Sequence, residues 1–187
     1  LNVLHQETSP TLRNEEVFAV NPLGKVPVLL LDDGHVLFDS WVICEFFDGL
    51  HNGPKLFPED DGAYWRASQL HAIAQGLNDI GITLRWETVR RPAELRYPAL
   101  RDGYVEKLIA SYDWLEQNIE IDAPLDVGQI AVATSLSWLE FRDLPSFRIG
   151  RPKLVTWFDR FEKRSSMLST PLHGDTRDAA PASPTLS

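Results

Sequence analysis

Apolar residues are spaced in two different ways along the chain, and the change falls near position 60. Up to about Phe57 they come in short runs broken by turn residues: 1–4, then a polar stretch through Glu16, then 28–31 and 36–38 on either side of Asp32-Asp33-Gly34-His35. Runs of that length predict strands. The Asp-Gly step between the last two predicts a hairpin turn, because it supplies the positive φ a tight turn demands. From about Ser40 the spacing becomes helical, with Ile43, Phe47 and Leu50 on one stripe and Val42 and Phe46 beside it, until His51-Asn52-Gly53-Pro54 ends the segment. Cys44 falls inside this pattern and reads as a small core residue.

Beyond position 60 strand signals vanish. Residues 64–88 predict a long helix that contains Gly76 and Gly81. Each glycine weakens a helix interior by about 1 kcal/mol relative to alanine, so their presence predicts a bend or a close helix contact. After Arg91-Pro92, the spacing of Leu100, Tyr104, Leu108, Leu115 and Ile119 predicts a second buried stripe. Asp126-Val127-Gly128-Gln129 predicts the start of a third helix with a capping box, the aspartate accepting from an early N–H and the glutamine reaching back. Ile130, Ala133, Leu136 and Leu139 or Trp138 carry its buried side. Arg151-Pro152 opens a fourth, since proline is tolerated in a first turn, and Leu154, Trp157, Phe158 and Phe161 follow. Trp86, Trp114, Trp138 and Trp157 all sit in helical patterns and read as core. Glu87 and Arg91 are spaced to pair one turn apart, worth a few tenths of a kcal/mol if exposed. Residues 175–187 hold no aromatic and one leucine and predict a disordered tail. The expected organisation is an α/β domain over 1–58, an all-α domain over 62–173 and a tail over 174–187.

Charge and composition narrow the function classes. With 18 Lys+Arg against 27 Asp+Glu the net charge is -9, which repels a phosphate backbone and argues against nucleic acid as a partner. No stretch approaches the roughly 18 apolar residues of a membrane span, and no signal segment opens the sequence, so a cytoplasmic protein with no membrane partner is expected. The single cysteine leaves no intrachain disulfide and suits a reducing compartment. His5, His35, His51, His71 and His173 are scattered singly, without the spacing of metal ligands.

The stretch Asn21-Pro22-Leu23-Gly24-Lys25-Val26-Pro27-Val28-Leu29, followed by Asp39-Ser40 at a strand-to-helix junction, carries the candidate chemistry. Pro27 contributes no backbone donor, and the main chain just before it is free to pair with an extended peptide by strand addition. Asp39-Ser40 stands where the next helix presents unpaired N–H groups and a positive dipole end, a place for a carboxylate. An aspartate beside an anion site makes sense if the ligand also carries an ammonium. An amino-acid head group satisfies both. Asp39-Ser40 also suits a simple helix cap.

These motifs resemble the glutathione transferase superfamily, and most closely its bacterial members with the same Asn-Pro-Leu-Gly-Lys-Val-Pro stretch. The resemblance runs to about Leu172, where residues 166–171 are similar to the family's closing Ser-Phe-x-x-Thr-x-Pro pattern. It implies a thioredoxin-like first domain and an all-α helical-bundle second domain, with a cis bond before Pro27. It further implies that Val26 and Pro27 position glutathione through its cysteinyl part, that Asp39 meets the γ-glutamyl ammonium and Ser40 its α-carboxylate, and that Lys25 is a looser candidate for the glycyl carboxylate. Glutathione is then the co-substrate, a small electrophile the second substrate, and a homodimer the expected assembly.

Two features depart from the family. Its helical domain usually carries Ser or Thr followed three residues later by Asp where this chain has Asp126 and Gln129. Its members also begin with a strand and a helix whose connecting turn bears the Ser, Tyr or Cys that activates the thiol. Here the chain reads as starting at the second strand, and Thr8-Ser9-Pro10 lies too close to Asn21 to be that turn. No catalytic residue is assigned; it is expected in a missing N-terminal segment. In the family's sheet that first strand lies between the second and the third, so its loss predicts exposed edges with association, or a disordered N-terminus. A glutathione transferase, weak or inactive in this form, is the leading expectation. A non-catalytic binding or protein-interaction module of the same superfamily is the alternative.

Overall fold

The computed structural model describes Leu4 and residues 14–174 of the 187-residue chain. The chain divides into two compact units, Leu1–Phe57 and Pro58–Ser187. Thr8-Ser9-Pro10, the tail over 175–187 and the strand expected over 1–4 lie outside the described residues, apart from Leu4, which is exposed and in no regular element.

Among the described residues the first regular element is α1 (Glu15–Val20), where the apolar pattern predicts only a polar stretch. The cause is local. The side-chain oxygen of Asn14 accepts from the N–H groups of Glu16 (3.0 Å) and Val17 (3.3 Å), and Glu15 and Glu16 lie in the electropositive first turn. β1 (Leu29–Leu30) and β2 (Val36–Leu37) then pair antiparallel, Leu29 opposite Leu37 and Leu30 opposite Val36. Both strands are shorter than their apolar runs. The N–H of Leu31 donates to the His35 carbonyl at 2.9 Å and that of Gly34 to the Leu31 carbonyl at 3.0 Å, closing a loop in which Gly34 alone takes positive φ (+88°). α2 (Ser40–Gly49) buries Ile43 and Asp48. Leu50, expected on the buried stripe, is exposed, and so is Cys44, expected in the core. Ile43 is the one apolar side chain that α2 buries. Cys44 stands about 100° around the helix from Ile43.

In the second unit α3 (Asp61–Arg85) and α5 (Val127–Phe141) pack side by side and in parallel. Three contacts spaced by seven residues bring them together. A Cβ on Gly128 would meet the Ala67 carbonyl oxygen, Ser135 Oγ donates to the Ala74 carbonyl at 3.2 Å, and a Cβ on Gly81 would meet Trp138 and Leu139. Gly81 is therefore the close contact that its place in a helix predicts, whereas Gly76 faces open space. α4 (Pro98–Asn118) and α6 (Pro152–Phe161) complete the core with Leu108, Tyr112, Leu115, Leu154, Trp157 and Phe158. Leu100, in the first turn of α4, is exposed; Tyr112, outside the predicted stripe, is fully buried and donates its hydroxyl to the Pro145 carbonyl. A short α7 (Ser165–Ser169) follows.

Three local expectations change. α3 ends at Arg85 and continues as a π-turn over Trp86–Arg90, the N–H of Arg91 bonding to the Trp86 carbonyl, which leaves Trp86 exposed rather than in the core. Glu87 does pair with Arg91 (2.8 Å), but its side chain is 1% exposed and its other oxygen accepts the N–H of Tyr97 at 2.8 Å. It is a buried tie, not a surface pair. At the start of α5, Asp126 accepts the N–H of Gln129 at 2.8 Å, yet the Gln129 amide donates to the Pro124 carbonyl at 2.7 Å instead of returning to the Asp126 N–H. α6 takes its N-terminal cap from another helix: Glu116 of α4 accepts from the N–H groups of Lys153 (3.1 Å) and Leu154 (2.7 Å). No helix of the described residues is long and apolar enough to cross a membrane.

Candidate functional site

The site is built on the open end of the β1–β2 hairpin. Lys25, Val26 and Pro27 precede β1, and Asp39 and Ser40 follow β2; antiparallel pairing of Leu29 with Leu37 delivers both segments to the same end of the ribbon. Every candidate residue read from the sequence is thus brought together within the first unit. Lys25, Val26, Pro27 and Asp39 are exposed and Ser40 half-buried.

The loop leading to Val26 owes its form to two residues to which sequence reasoning gave no role. Asn21, 2% exposed, accepts the N–H of Leu23 on its side-chain oxygen at 3.0 Å and donates its amide to the Lys25 carbonyl at 2.8 Å. One side chain therefore opens the turn and closes it. Gly24 stands at φ +61°, and a Cβ there would lie 2.6 Å from the ring of Phe18 on α1. The readable signal for both was Asn-Pro-x-Gly, an Asx turn followed by a residue free to take positive φ. The Val26–Pro27 bond that follows is cis. Among the described residues the N–H and C=O of Val26 have no hydrogen-bond partner, so they are available to an extended ligand.

At the other segment Asp39 is the N-cap of α2, one of its oxygens accepting the N–H of Trp41 at 3.1 Å. Its second oxygen is not used in the cap. The N–H groups of Ser40 and Val42 and the Ser40 hydroxyl have no partner among the described residues, which leaves three donors at the positive end of the helix. The side-chain amine of Lys25 is likewise unpaired among them. At Cys44, one turn further on, partial loss of solvent around the sulphur, and then the negative charge of Asp39, push the thiol pKa up. Among the described residues no group of His, Cys, Asp or Glu side chains could hold a metal ion.

The profile of the glutathione S-transferase N-terminal domain matches residues 2–50. The chain is 32% identical to an uncharacterized GST-like protein, YibF, of Escherichia coli K12 over 156 residues, which is 80% of this chain and 76% of that protein. It is 27% identical over 185 residues to glutathione S-transferase omega-1 of Sus scrofa, covering 94% of this chain and 73% of the other. Among solved structures, a glutathione transferase family member from Pseudomonas fluorescens Pf-5 with bound glutathione superposes with a TM-score of 0.81 at 35% identity, over 95% of this chain and 84% of that one.

Proposed function

The chain belongs to the glutathione S-transferase family, a thioredoxin-like α/β domain followed by an all-α helical domain, and we propose that its first unit docks glutathione for transfer to small electrophiles. The observation that carries this is the unpaired main chain of Val26, held at the same end of the hairpin as Asp39 and Ser40. Glutathione adds to Val26 as a short strand through its cysteinyl unit. The γ-glutamyl carboxylate takes the donors of Ser40 and Val42, the γ-glutamyl ammonium faces the spare oxygen of Asp39, and the glycyl carboxylate lies toward Lys25. The reading is supported by the glutathione bound in the Pseudomonas fluorescens relative.

Docking contributes by fixing the sulphur in place, which removes much of the entropy of a bimolecular encounter. The reactive form is the thiolate, and a free thiol near pKa 8.5 is mostly protonated at neutral pH. That proton transfer is assigned to none of the described residues. The second substrate is a small electrophile, and the setting is a cytoplasmic homodimer engaged in detoxification.

Calorimetric titration with glutathione tests the docking. The chain is expected to bind, and Ser40→Ala to weaken binding about tenfold, since a hydrogen bond to a charged group contributes about 1.5–3 kcal/mol. Equal binding by both proteins, or by neither, sinks the assignment. Conjugation of chlorodinitrobenzene then separates an enzyme from a module that holds glutathione without turning it over.

A further inference from the structure

At the end of α6 one face carries polar groups that the fold itself does not use. Trp157, Arg160, Phe161 and Arg164 are spaced to share one side of the helix and of the turn that continues it. With Leu125, and with Gln129 in the first turn of α5, they line a cavity of about 210 Å³. None of these residues belongs to the first unit, which holds the residues of the glutathione proposal.

Two side chains of the lining are buried without a full set of partners. Gln129, 5% exposed, spends its amide nitrogen on the Pro124 carbonyl at 2.7 Å, with Asp126 Oδ2 at 3.5 Å. Those contacts fix which way the amide faces, and its oxygen accepts nothing among the described residues. Trp157 is 2% exposed, and its indole N–H donates to none of them. About nine in ten buried polar groups of folded proteins are paired, so a free acceptor and a free donor on one cavity call for a ligand that offers the complement.

The charge of the cavity is one-sided as well. Its lining holds two guanidiniums and no carboxylate, Asp122 and Asp126 both standing outside it. Arg164 lies over the Phe161 ring at 5.4 Å and pairs with no carboxylate among the described residues. Arg160 bonds to Asp122 through one nitrogen at 3.1 Å; with side chains 60% and 85% exposed that pair is weak, and it leaves the other N–H groups of the fork unused. The volume lies below the roughly 300–1,000 Å³ of drug-sized sites, so the ligand is small.

We propose that this cavity binds a small N-acyl amino acid with an apolar side chain. Its carboxylate takes the guanidiniums of Arg160 and Arg164 and the indole N–H of Trp157. Its acylated nitrogen donates to the oxygen of Gln129, and its side chain lies against Leu125 and Phe161.

Calorimetric titration of the full chain tests this with three ligands of one shape: N-acetyl-leucine, its carboxamide, and acetylated leucic acid, in which an oxygen replaces the acylated nitrogen. N-acetyl-leucine is expected to bind at one molecule per chain, about tenfold tighter than the carboxamide and about fivefold tighter than the ester. Arg164→Gln, at an exposed position, is expected to lose the preference for the acid over the carboxamide. Trp157→Phe keeps a ring in place and removes the donor, and is expected to weaken N-acetyl-leucine about threefold. Ser40→Ala, which weakens glutathione docking, leaves N-acetyl-leucine affinity unchanged. No saturable binding of N-acetyl-leucine, equal affinity for all three ligands, indifference to both the Arg164 and Trp157 variants, or loss of binding in Ser40→Ala each overturns the proposal. The comparison of ligands on the unaltered chain decides the matter even where a variant fails to fold.

Discussion

The side-chain amide of Asn21 donates to the Lys25 carbonyl at 2.8 Å from inside the first unit, so the loop that leads to Val26 is closed by a buried side chain. Asn21→Ala leaves that carbonyl and the N–H of Leu23 without their partner, at a cost of about 1–3 kcal/mol. Glutathione affinity is expected to fall about tenfold with it, because the loop then samples other forms. Thermal unfolding and glutathione titration on the same protein check both. Unchanged affinity with lowered stability would show that the loop is shaped by the ligand and not in advance of it.

Gly24 carries two separable constraints. Its φ of +61° penalises any side chain, and a Cβ would also meet Cζ and Cε2 of Phe18 at 2.6 and 2.7 Å. Gly24→Ala is expected to cost about 2–5 kcal/mol, the sum of the left-handed penalty and the overpacking. Adding Phe18→Ala removes the clash and leaves the φ penalty, so the two substitutions together should be less harmful than their separate costs added. Denaturant midpoints for the four proteins of the cycle measure that coupling, and strict additivity would place the whole penalty in φ.

How much of this was readable in advance depended on the range of the interaction. Asp39 capping α2, Asp126 capping α5 and proline opening α6 were legible because a cap acts over two or three residues. Lys25 to Pro27 and Asp39-Ser40 were legible as a motif, and the pairing of β1 with β2 brings the two segments to one end of the hairpin. Asn21 was not legible as its organiser, because its amide reaches a backbone group four residues on, and no periodicity records that. Glu87 looked like half of a surface pair because its second partner, the N–H of Tyr97, lies ten residues away across a π-turn. Cys44 was misplaced because a helical pattern shows which residues are apolar and not how wide a face the partner covers. The small residues Ala67, Ala74 and Gly81 repeat every seven positions, but the pattern acquires meaning only once α5 is set beside them.

That packing makes Gly128→Ala the most damaging single methyl in the helical unit. The added Cβ would lie 2.2 Å from the Ala67 carbonyl oxygen and 2.8 Å from Leu70 Cβ. A main-chain carbonyl inside α3 cannot rotate away, so the two helices must separate, at a cost of at least about 3 kcal/mol. Far-UV circular dichroism on heating is expected to show a large drop in midpoint. Gly76→Ala, with no atom within 4 Å, is the matched control and should stabilise by about 0.5–1 kcal/mol.

Asp126 is a cap under strain from its surroundings. Burial raises its pKa, and the hydrogen bonds from Gln129 and Gly128 recover only part of that. With the folded pKa above the ordinary 3.8, the favourable contribution belongs to the neutral form; it is present below pH 3.8 and lost as pH rises through the folded value. Asp126→Asn keeps an acceptor for the Gln129 N–H without the buried charge and is expected to equal or exceed wild-type stability at neutral pH. Asp126→Ala removes the acceptor and should cost about 1 kcal/mol. Urea unfolding at neutral pH distinguishes them, and a destabilised asparagine variant would mean that the charge itself is needed.

Asp48 has the opposite sign. Burial pushes its carboxyl up, but the N–H groups of Leu56 and Phe57, then the charges of Lys55 and His51, outweigh it and hold the group below its ordinary 3.8. The carboxylate accepts from Leu56 at 2.9 Å and Phe57 at 3.2 Å, tying the end of the first unit to α2. A lowered folded pKa means stability that is fully present above pH 3.8 and lost as pH falls through the folded value. Asp48→Asn retains the shape but removes the charge and leaves one acceptor for the two N–H groups, so it should be less stable than wild type at neutral pH by about 1–3 kcal/mol. Because acid neutralises Asp48 in the wild type, the gap between the two proteins should close as the pH is lowered below about 4. A gap that persists unchanged at low pH would assign the stabilisation to the geometry of the tie and not to its charge.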